Sequence, residues 1–228
     1  MSSEEIEEEY QGEYASPPCF MRDVDPAYLG LPSRAERARA NVMRWRKAER
    51  GRLIAERLAV QASIRSLRAT QISRRLDQVI GDPTGLIVSG YWPFRGEADL
   101  RRWFETIWVR GGRVALPVVV AKGAPLVFRI WRQGDRLERS VWNILVPAGG
   151  EQVLPDIVLA PLVGYARTGY RLGYGGGFFD RTLAAMPTRR LVIGTGYKQA
   201  ELFTIYPQPH DIPMDVVVTE DEIITPAW

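Results

Sequence analysis

The 228-residue sequence contains only one cysteine, Cys19, and only one histidine, His210. A single cysteine excludes an internal disulfide and a multi-cysteine zinc site, and a single histidine excludes sites that need several imidazoles. No apolar run approaches the roughly 20 residues that span a bilayer. The start MSSEEIEEEY lacks a basic region and an apolar stretch, so we expect no secretory signal and a reducing, cytoplasmic location. With 46% hydrophobic and 25% charged residues, the composition is typical of one large globular domain, or of one domain with an extended end.

Lysine is also scarce, because only Lys47, Lys122 and Lys198 are present and arginine carries most of the positive charge. The net charge of +3 hides an uneven distribution. Residues 1–33 carry eight acidic residues and one arginine, whereas residues 34–80 carry 13 basic and four acidic residues. The basic stretch could bind the phosphates of a nucleotide or a nucleic acid, or it could be a solvated helix face. The shortage of lysine and the lack of a known nucleic-acid motif make nucleic acid the less favoured partner.

The sequence divides near residue 33. Residues 1–33 are acidic and rich in turn-forming dipeptides, which indicates an extended N-terminal arm that could contact a protein partner. The main domain is then expected over residues 34–228. From residue 35 to residue 80 there is no proline and apolar residues recur at helical spacing, which predicts two helices or one long bent helix. Gly81-Asp82-Pro83 should end this helical region.

After Gly81 the pattern changes to short apolar runs that alternate with amphipathic segments. Strands are predicted over Leu86–Ser89, Val114–Val120, Leu126–Trp131, Asp156–Val163, Leu191–Gly196 and Asp215–Thr219. Helices are predicted over Glu97–Arg110 and Gly177–Met186. This alternation favours an α/β layered domain.

The most informative stretch is GYRLGYGGGFFDR, residues 169–181, which has glycine at position 173 and at positions 175–177. Glycines expose backbone N–H groups, and a loop of them before a helix N-terminus can bind an anion. Arg171 could donate paired hydrogen bonds to phosphate, and the Asp180 carboxylate could bind a hard cation. The spacing matches neither the Walker loop nor the dinucleotide fingerprint. A plain glycine-rich turn therefore remains an alternative from these residues alone.

This stretch resembles the signature of the 5-formyltetrahydrofolate cyclo-ligase family, whose members are also called 5,10-methenyltetrahydrofolate synthetases. Other segments resemble the family in the same order: Tyr91–Glu97, Leu116–Val119, Leu126–Trp131, Ile193-Gly194, His210–Asp215 and Thr219-Glu220. The resemblance spans roughly residues 44–220. It implies an α/β three-layer sandwich with a mixed, mostly parallel sheet and N-terminal helices, to which the extended arm of residues 1–33 is an addition that the family pattern lacks. It also implies an enzyme that uses ATP and Mg²⁺ to close 5-formyltetrahydrofolate into 5,10-methenyltetrahydrofolate, releasing ADP and phosphate.

The resemblance also implies roles for individual residues. ATP would be bound by Arg46, Arg50, Arg171, Leu172, Gly173, Tyr174, Gly175, Gly176, Gly177, Phe178 and Phe179. The folate would contact Trp92, Glu97, Tyr174, Gly175, Gly176, Gly177 and Phe178. Arg171 would also be catalytic, and Asp180 and Asp215 would bind Mg²⁺. Phosphoryl transfer to the formyl oxygen depends mainly on positioning and charge stabilisation, so no protein nucleophile is required.

Three positions depart from the family pattern. Arg46 replaces a lysine, Tyr165-Ala166 replaces Phe-Asp, and Asn143–Pro147 lacks the glutamate usual in that segment. These departures leave open a non-catalytic descendant that binds nucleotide or folate and acts through a protein partner. Each candidate also has a structural alternative: Trp92 as a core residue, Glu97 as a first-turn residue, Asp180 as an ion-pair partner of arginine, and Asp215 as the start of a strand.

Overall fold

A computed structural model describes residues 32–227 of the chain. The helices are α1 (Arg34–Ala59), α2 (Ala62–Ile80), α3 (Arg101–Val109) and α4 (Phe178–Ala185). The strands are β1 (Ile87–Ser89), β2 (Arg113–Val118), β3 (Val127–Ile130), β4 (Leu137–Arg139), β5 (Leu145–Pro147), β6 (Gln152–Val153), β7 (Ile157–Pro161), β8 (Gly164–Ala166), β9 (Arg171–Leu172), β10 (Leu191–Thr195), β11 (Glu201–Leu202), β12 (Val216–Val218) and β13 (Ile223–Ile224). The described residues divide into two units at Asn41, and the sheet belongs to the unit that begins at Val42.

The helical region before residue 81 consists of two helices rather than one bent helix. Helix α2 buries Ala69, Ile72 and Leu76, whose spacing of three and four residues defines one apolar face. Helix α1 differs, since two of its three buried residues are Arg46 and Arg57. Buried arginines are rare unless they are paired, so α1 brings positive charge into the interior of the protein. None of the helices within residues 32–227 is long and apolar enough to cross a membrane.

An eight-stranded sheet forms the middle layer, in the order β13-β12-β10-β7-β1-β2-β3-β6. Strands β12, β10, β7, β1 and β2 are parallel, and β13, β3 and β6 are antiparallel to their neighbours. Alternate residues of a strand face opposite sides, so Val114 packs against α2 and α3 whereas Ala115 packs in the cluster that contains Leu53 of α1. The expected three-layer α/β sandwich with a mixed, mostly parallel sheet is confirmed.

The parallel strands determine which loops meet. The segments that follow β1, β7 and β10 lie at the carboxyl edge of the sheet, where ligands bind in α/β folds. Residues that directly precede β10 and β12 lie at the opposite, amino edge. The chain leaves β1 through Gly90, where an added Cβ would lie 2.2 Å from the Phe104 ring, so only glycine fits between strand and helix.

The predicted strands occur, with each end within two residues of its expected position. The predicted start of the third helix, at Glu97, is wrong, because α3 begins at Arg101. A carboxylate oxygen of Glu97 accepts a hydrogen bond from the Phe94 backbone N–H (2.9 Å), which closes a turn ahead of the helix. The acidic arm expected over residues 1–33 lies almost entirely outside the described residues, and the two short sheets (β4-β5 and β11-β8-β9) have no counterpart in the sequence-based expectations.

Candidate active site

The glycine loop connects β9 to α4 and adopts a conformation that requires glycine. Gly175 has φ 94° and Gly177, the residue before α4, has φ 63°. Side chains strongly disfavour both values. An added Cβ at Gly176 would lie 2.8 Å from the Phe178 ring. The loop therefore holds its backbone at the N-terminus of α4, as expected for an anion-binding segment.

Two arginines approach this loop from α1 and β9. Arg50 Nε donates a hydrogen bond to the Gly173 carbonyl oxygen (2.7 Å). Burial lowers the pKa of Arg50, and the nearby charge of Arg46 lowers it further. Burial also lowers the pKa of Arg171. The three cations Arg46, Arg50 and Arg171 thus lie in one partly desolvated region beside the loop, which gives this region a positive potential that favours anions.

Two aspartates lie among these arginines. Arg171 Nη2 is 2.8 Å from Asp180 Oδ1, which also accepts a hydrogen bond from the Ile212 backbone N–H (3.2 Å). Arg46 Nη2 is 2.5 Å from Asp211 Oδ2. Burial acts to raise the pKa of Asp211, but the hydrogen bonds from Arg46 and from the Gln208 backbone N–H, together with the positive charge of Arg46, outweigh it and the pKa is lowered. Asp211 is therefore held ionised inside the cluster.

The family resemblance assigns no role to Asp211. It belongs to the same segment, His210–Asp215, that suggested Asp215 as a metal ligand. The charge of Asp211 also acts on Arg50 and on Arg171, which confirms that it lies close to both. Its position is the available signal, because the segment contains two aspartates and the family resemblance points to the second.

Asp215 lies elsewhere in the structure. One of its carboxylate oxygens accepts a hydrogen bond from the Val192 backbone N–H (2.9 Å), and the other pairs with Arg189. Val192 is near the start of β10 and Asp215 directly precedes β12, so these contacts belong to the amino edge of the sheet. The structure therefore does not bring Asp215 to the glycine loop, and its role as a metal ligand stays a prediction.

A buried carboxyl group, that of Glu97, contacts the side chain of Tyr174 in the glycine loop. Glu97 is 8% exposed, and its Oε1 accepts a hydrogen bond from the Tyr174 hydroxyl (2.9 Å). Burial raises the pKa of Glu97 to about 7, despite the opposing effects of Arg57 and of its hydrogen bonds. Burial likewise raises the pKa of Tyr174, with the Glu97 charge adding to it. Glu97 thus sits near the midpoint of its titration at neutral pH.

Arg57 fixes this pair, although no sequence motif marks it as a functional residue. Its guanidinium group donates to the Leu162 carbonyl oxygen (2.9 Å), the Arg95 carbonyl oxygen (2.9 Å) and the Tyr174 hydroxyl (2.5 Å). These contacts join α1, the segments after β1 and β7, and the glycine loop. Arg57 therefore holds the Glu97–Tyr174 pair to the rest of the site.

Two tryptophans differ in their relation to the loop. Trp92 packs edge-on against Trp131, with ring centroids 5.8 Å apart, and the Arg101 guanidinium lies 4.9 Å from its ring centroid. These contacts give Trp92 a packing role, and its role in folate binding stays a prediction. Trp142 is half-exposed, and the centroid of its ring lies 5.8 Å from that of the Phe178 ring, although no sequence motif marks it as functional. It has φ 58°, an uncommon value for a bulky residue and one often found at functional sites.

Comparison with known proteins identifies the group to which this site belongs. Residues 42–220 match the model of the 5-formyltetrahydrofolate cyclo-ligase family. The chain belongs to this family. A 5-formyltetrahydrofolate cyclo-ligase of Haemophilus influenzae is 26% identical over 171 residues, covering 70% of this chain and 91% of the relative. One of Escherichia coli K12 is 32% identical over 143 residues, covering 60% of this chain and 79% of the relative.

Solved structures of this family share the fold. The structure of Aquifex aeolicus 5,10-methenyltetrahydrofolate synthetase has a TM-score of 0.68 and 24% identity, covering 79% of this chain and 92% of that chain. The Mycoplasma pneumoniae 5,10-methenyltetrahydrofolate synthetase has a TM-score of 0.65 and 20% identity, covering 77% and 99%. The family assignment and the three-layer architecture therefore agree.

The departures from the cyclo-ligase pattern have structural explanations. Arg46 uses its planar group to donate to the Ile205 carbonyl oxygen (2.9 Å), the Tyr206 carbonyl oxygen (2.9 Å) and Asp211. Lysine, as a point charge, could not make this fixed set of contacts. Ala166 and Val146, at positions where the family has acids, are both buried. Apolar packing replaces the acidic side chains there, so no buried charge is left unpaired.

Proposed function

We propose that this chain catalyses the ATP- and Mg²⁺-dependent cyclisation of 5-formyltetrahydrofolate to 5,10-methenyltetrahydrofolate, with release of ADP and phosphate. The observation that carries the proposal is the hydrogen bond between Tyr174, a residue of the glycine loop, and Glu97. It makes the expected phosphate-binding loop and the expected folate-binding acid parts of one continuous site. Family membership supports the same reaction.

The phosphate end of the site would act through charge and positioning. In the proposed complex, the backbone N–H groups of residues 173–177 and the guanidinium groups of Arg46, Arg50 and Arg171 bind the triphosphate. Charge that develops on the transferring phosphoryl group is stabilised there without a protein nucleophile. Arg171 is the catalytic cation of this set, because it lies next to Asp180 at the start of α4.

Magnesium is expected to complete this end. Within residues 32–227 no group of three or more His, Cys, Asp or Glu side chains is arranged to hold a metal ion. Mg²⁺ in nucleotide sites is commonly held by one or two carboxylates together with phosphate oxygens and waters. Asp180 and Asp211 supply such a pair, and Asp180 accepts the hydrogen bonds from Arg171 and Ile212 through Oδ1, which leaves Oδ2 to face a cation. We therefore propose Asp180 with Asp211 as the magnesium ligands, and Mg²⁺ would neutralise phosphate charge there.

The folate end would position the formyl group for reaction. The formyl oxygen attacks the γ-phosphorus and ADP departs. N10 then attacks the formyl carbon and loses its proton, and phosphate leaves. Because its pKa is near 7, Glu97 can donate a hydrogen bond to the folate ring when it is protonated and accept one from the ring when it is ionised. Trp142 and Phe178 offer aromatic surface beside the loop for the flat parts of the substrate.

The test is turnover of the full-length chain with 5-formyltetrahydrofolate, ATP and Mg²⁺, followed by the absorbance of the methenyl product. We expect turnover that depends on all three components and is lost in Arg171→Ala. An exposed arginine at the amino edge, Arg189, provides the matched control Arg189→Ala. Binding of ATP and folate without any turnover would favour the non-catalytic descendant instead.

A further inference from the structure

A cavity of about 360 Å³ lies between the end of α3 and the strand pair β2–β3. It is lined by Trp108 of α3, by Arg113 at the start of β2 and by Ile130 at the end of β3. Because β3 runs antiparallel to β2, this start and this end lie together at the amino edge of the sheet. The described residues that line the cavity include none of the proposed active site. Its volume falls in the range of small-molecule sites, roughly 300–1,000 Å³.

Two tryptophans form the apolar walls of this cavity. Trp131 is 5% exposed, and its ring centroid lies 5.4 Å from that of Trp108, with the ring planes inclined at 56°. Inclined rings leave faces that a flat group can cover. Within residues 32–227, neither indole N–H has a hydrogen-bond acceptor. A buried donor without a partner costs about 1–3 kcal/mol and calls for an explanation, which an acceptor brought by a ligand would supply.

The polar rim of the cavity is rich in hydrogen-bond donors. Arg113 pairs with the Glu151 carboxylate (2.9 Å), whereas the side chains of Arg132 and Gln133 make no hydrogen bond or ion pair with the other described residues. A turn fixes this part of the rim, because the Arg132 N–H donates to Asp135 Oδ2 (2.7 Å) and the Asp135 N–H donates to the Arg132 carbonyl oxygen (3.0 Å). None of the described residues that line the cavity is acidic. The rim therefore favours an anion, since a guanidinium group only donates.

We propose that this cavity binds a small aromatic carboxylate, with its ring against Trp108 and Trp131 and its carboxylate at Arg132. A neutral apolar ligand would leave the donors of the rim without an acceptor. An anion without a ring would leave the indole faces uncovered. The proposal does not depend on the cyclisation reaction, because the cavity shares no lining residue with the proposed active site.

The first experiment follows the indole N–H signals of the full-length, nitrogen-15-labelled chain by NMR. The chain has seven tryptophans, whose signals are assigned through single Trp→Phe replacements. Titration with 2-naphthoate should shift the signals of Trp108 and Trp131 until they saturate, and should leave that of Trp45 on α1 unchanged. No saturable shift at Trp108 and Trp131, or shifts confined to Trp142 beside the glycine loop, would overturn the proposal.

The second experiment tests the charged part of the cavity with Arg132→Ala. This exposed side chain makes no contact that the fold needs. The Kd for 2-naphthoate should rise roughly tenfold, the effect of losing one hydrogen bond to a charged group, and the Kd for neutral 2-naphthamide should rise by roughly twofold at most. Arg136, an exposed arginine of the same segment outside the cavity, gives the matched control Arg136→Ala. Equal weakening of naphthoate by both variants, or equal weakening of naphthoate and naphthamide in Arg132→Ala, would contradict the site.

Discussion

Glu97 offers the clearest test of the electrostatics of the site. Burial raises its pKa from the ordinary value of 4.5 to about 7 in the folded chain. The folded chain therefore keeps a proton that the unfolded chain releases near pH 4.5. Stability falls with rising pH wherever the folded state binds more protons. The free energy of unfolding should thus decrease as pH rises from about 4.5 through about 7.

The size of the effect follows from the two pKa values. A pKa difference of one corresponds to 1.36 kcal/mol, so the difference between 4.5 and about 7 gives about 3 kcal/mol for this group. Glu97→Gln removes the titration. The amide oxygen can still accept from Tyr174, but the amide N–H₂ faces the Phe94 N–H and loses that hydrogen bond, a cost of about 1 kcal/mol. The variant should have about the stability of wild type at pH 5, where the two costs nearly cancel, and should be more stable than wild type at pH 8.

Urea denaturation at pH 5, 6, 7 and 8 measures this difference directly. We expect the stability of Glu97→Gln relative to wild type to increase by about 2.5 kcal/mol between pH 5 and pH 8, because part of the effect is already lost below pH 5. Glu151 is an exposed glutamate whose side chain is 62% accessible, so Glu151→Gln is the matched control and should show no such trend. Parallel curves for wild type and Glu97→Gln would refute the assignment of a buried, protonated acid.

Three further predictions concern the phosphate end. Asp180→Asn and Asp211→Asn should each abolish Mg²⁺-dependent turnover while Asp215→Asn retains it, as measured by the methenyl absorbance; the reverse pattern would restore Asp215 as the ligand. Arg46→Lys should lower stability by about 1–3 kcal/mol in urea denaturation, since one ammonium cannot satisfy Asp211 and two carbonyl oxygens; an unchanged midpoint would contradict this. Gly177→Ala should lower the free energy of unfolding by about 1 kcal/mol and weaken ATP binding, because the φ of 63° at this position favours glycine. Normal ATP affinity in calorimetry would contradict the role of the glycine loop in binding ATP.

Much of the fold could be predicted because it is local. The apolar runs that became β2, β7 and β10 each carry their signal within a few residues. The start of α3 was missed because the Glu97 side chain, rather than a helix turn, satisfies the Phe94 N–H. Helix propensity contains no information about that contact.

The site was only partly predictable because its decisive contacts join distant residues. Arg57 meets the Tyr174 hydroxyl across 117 positions of sequence, and Arg46 meets Asp211 across 165. In the sequence, Arg57 is one arginine among many on a basic helix. The positive φ values at Trp142 and Tyr206 are likewise invisible in the sequence, since bulky residues seldom adopt them. The glycine loop was found because its function depends on residue type itself.

The most direct test of the central claim follows the formyl oxygen. The full-length chain is incubated with ATP, Mg²⁺ and 5-formyltetrahydrofolate that carries oxygen-18 in the formyl group, and the released phosphate is analysed by mass spectrometry. Transfer of the γ-phosphoryl group to that oxygen predicts one label in each phosphate formed with methenyl product. Product formation with unlabelled phosphate would contradict the account.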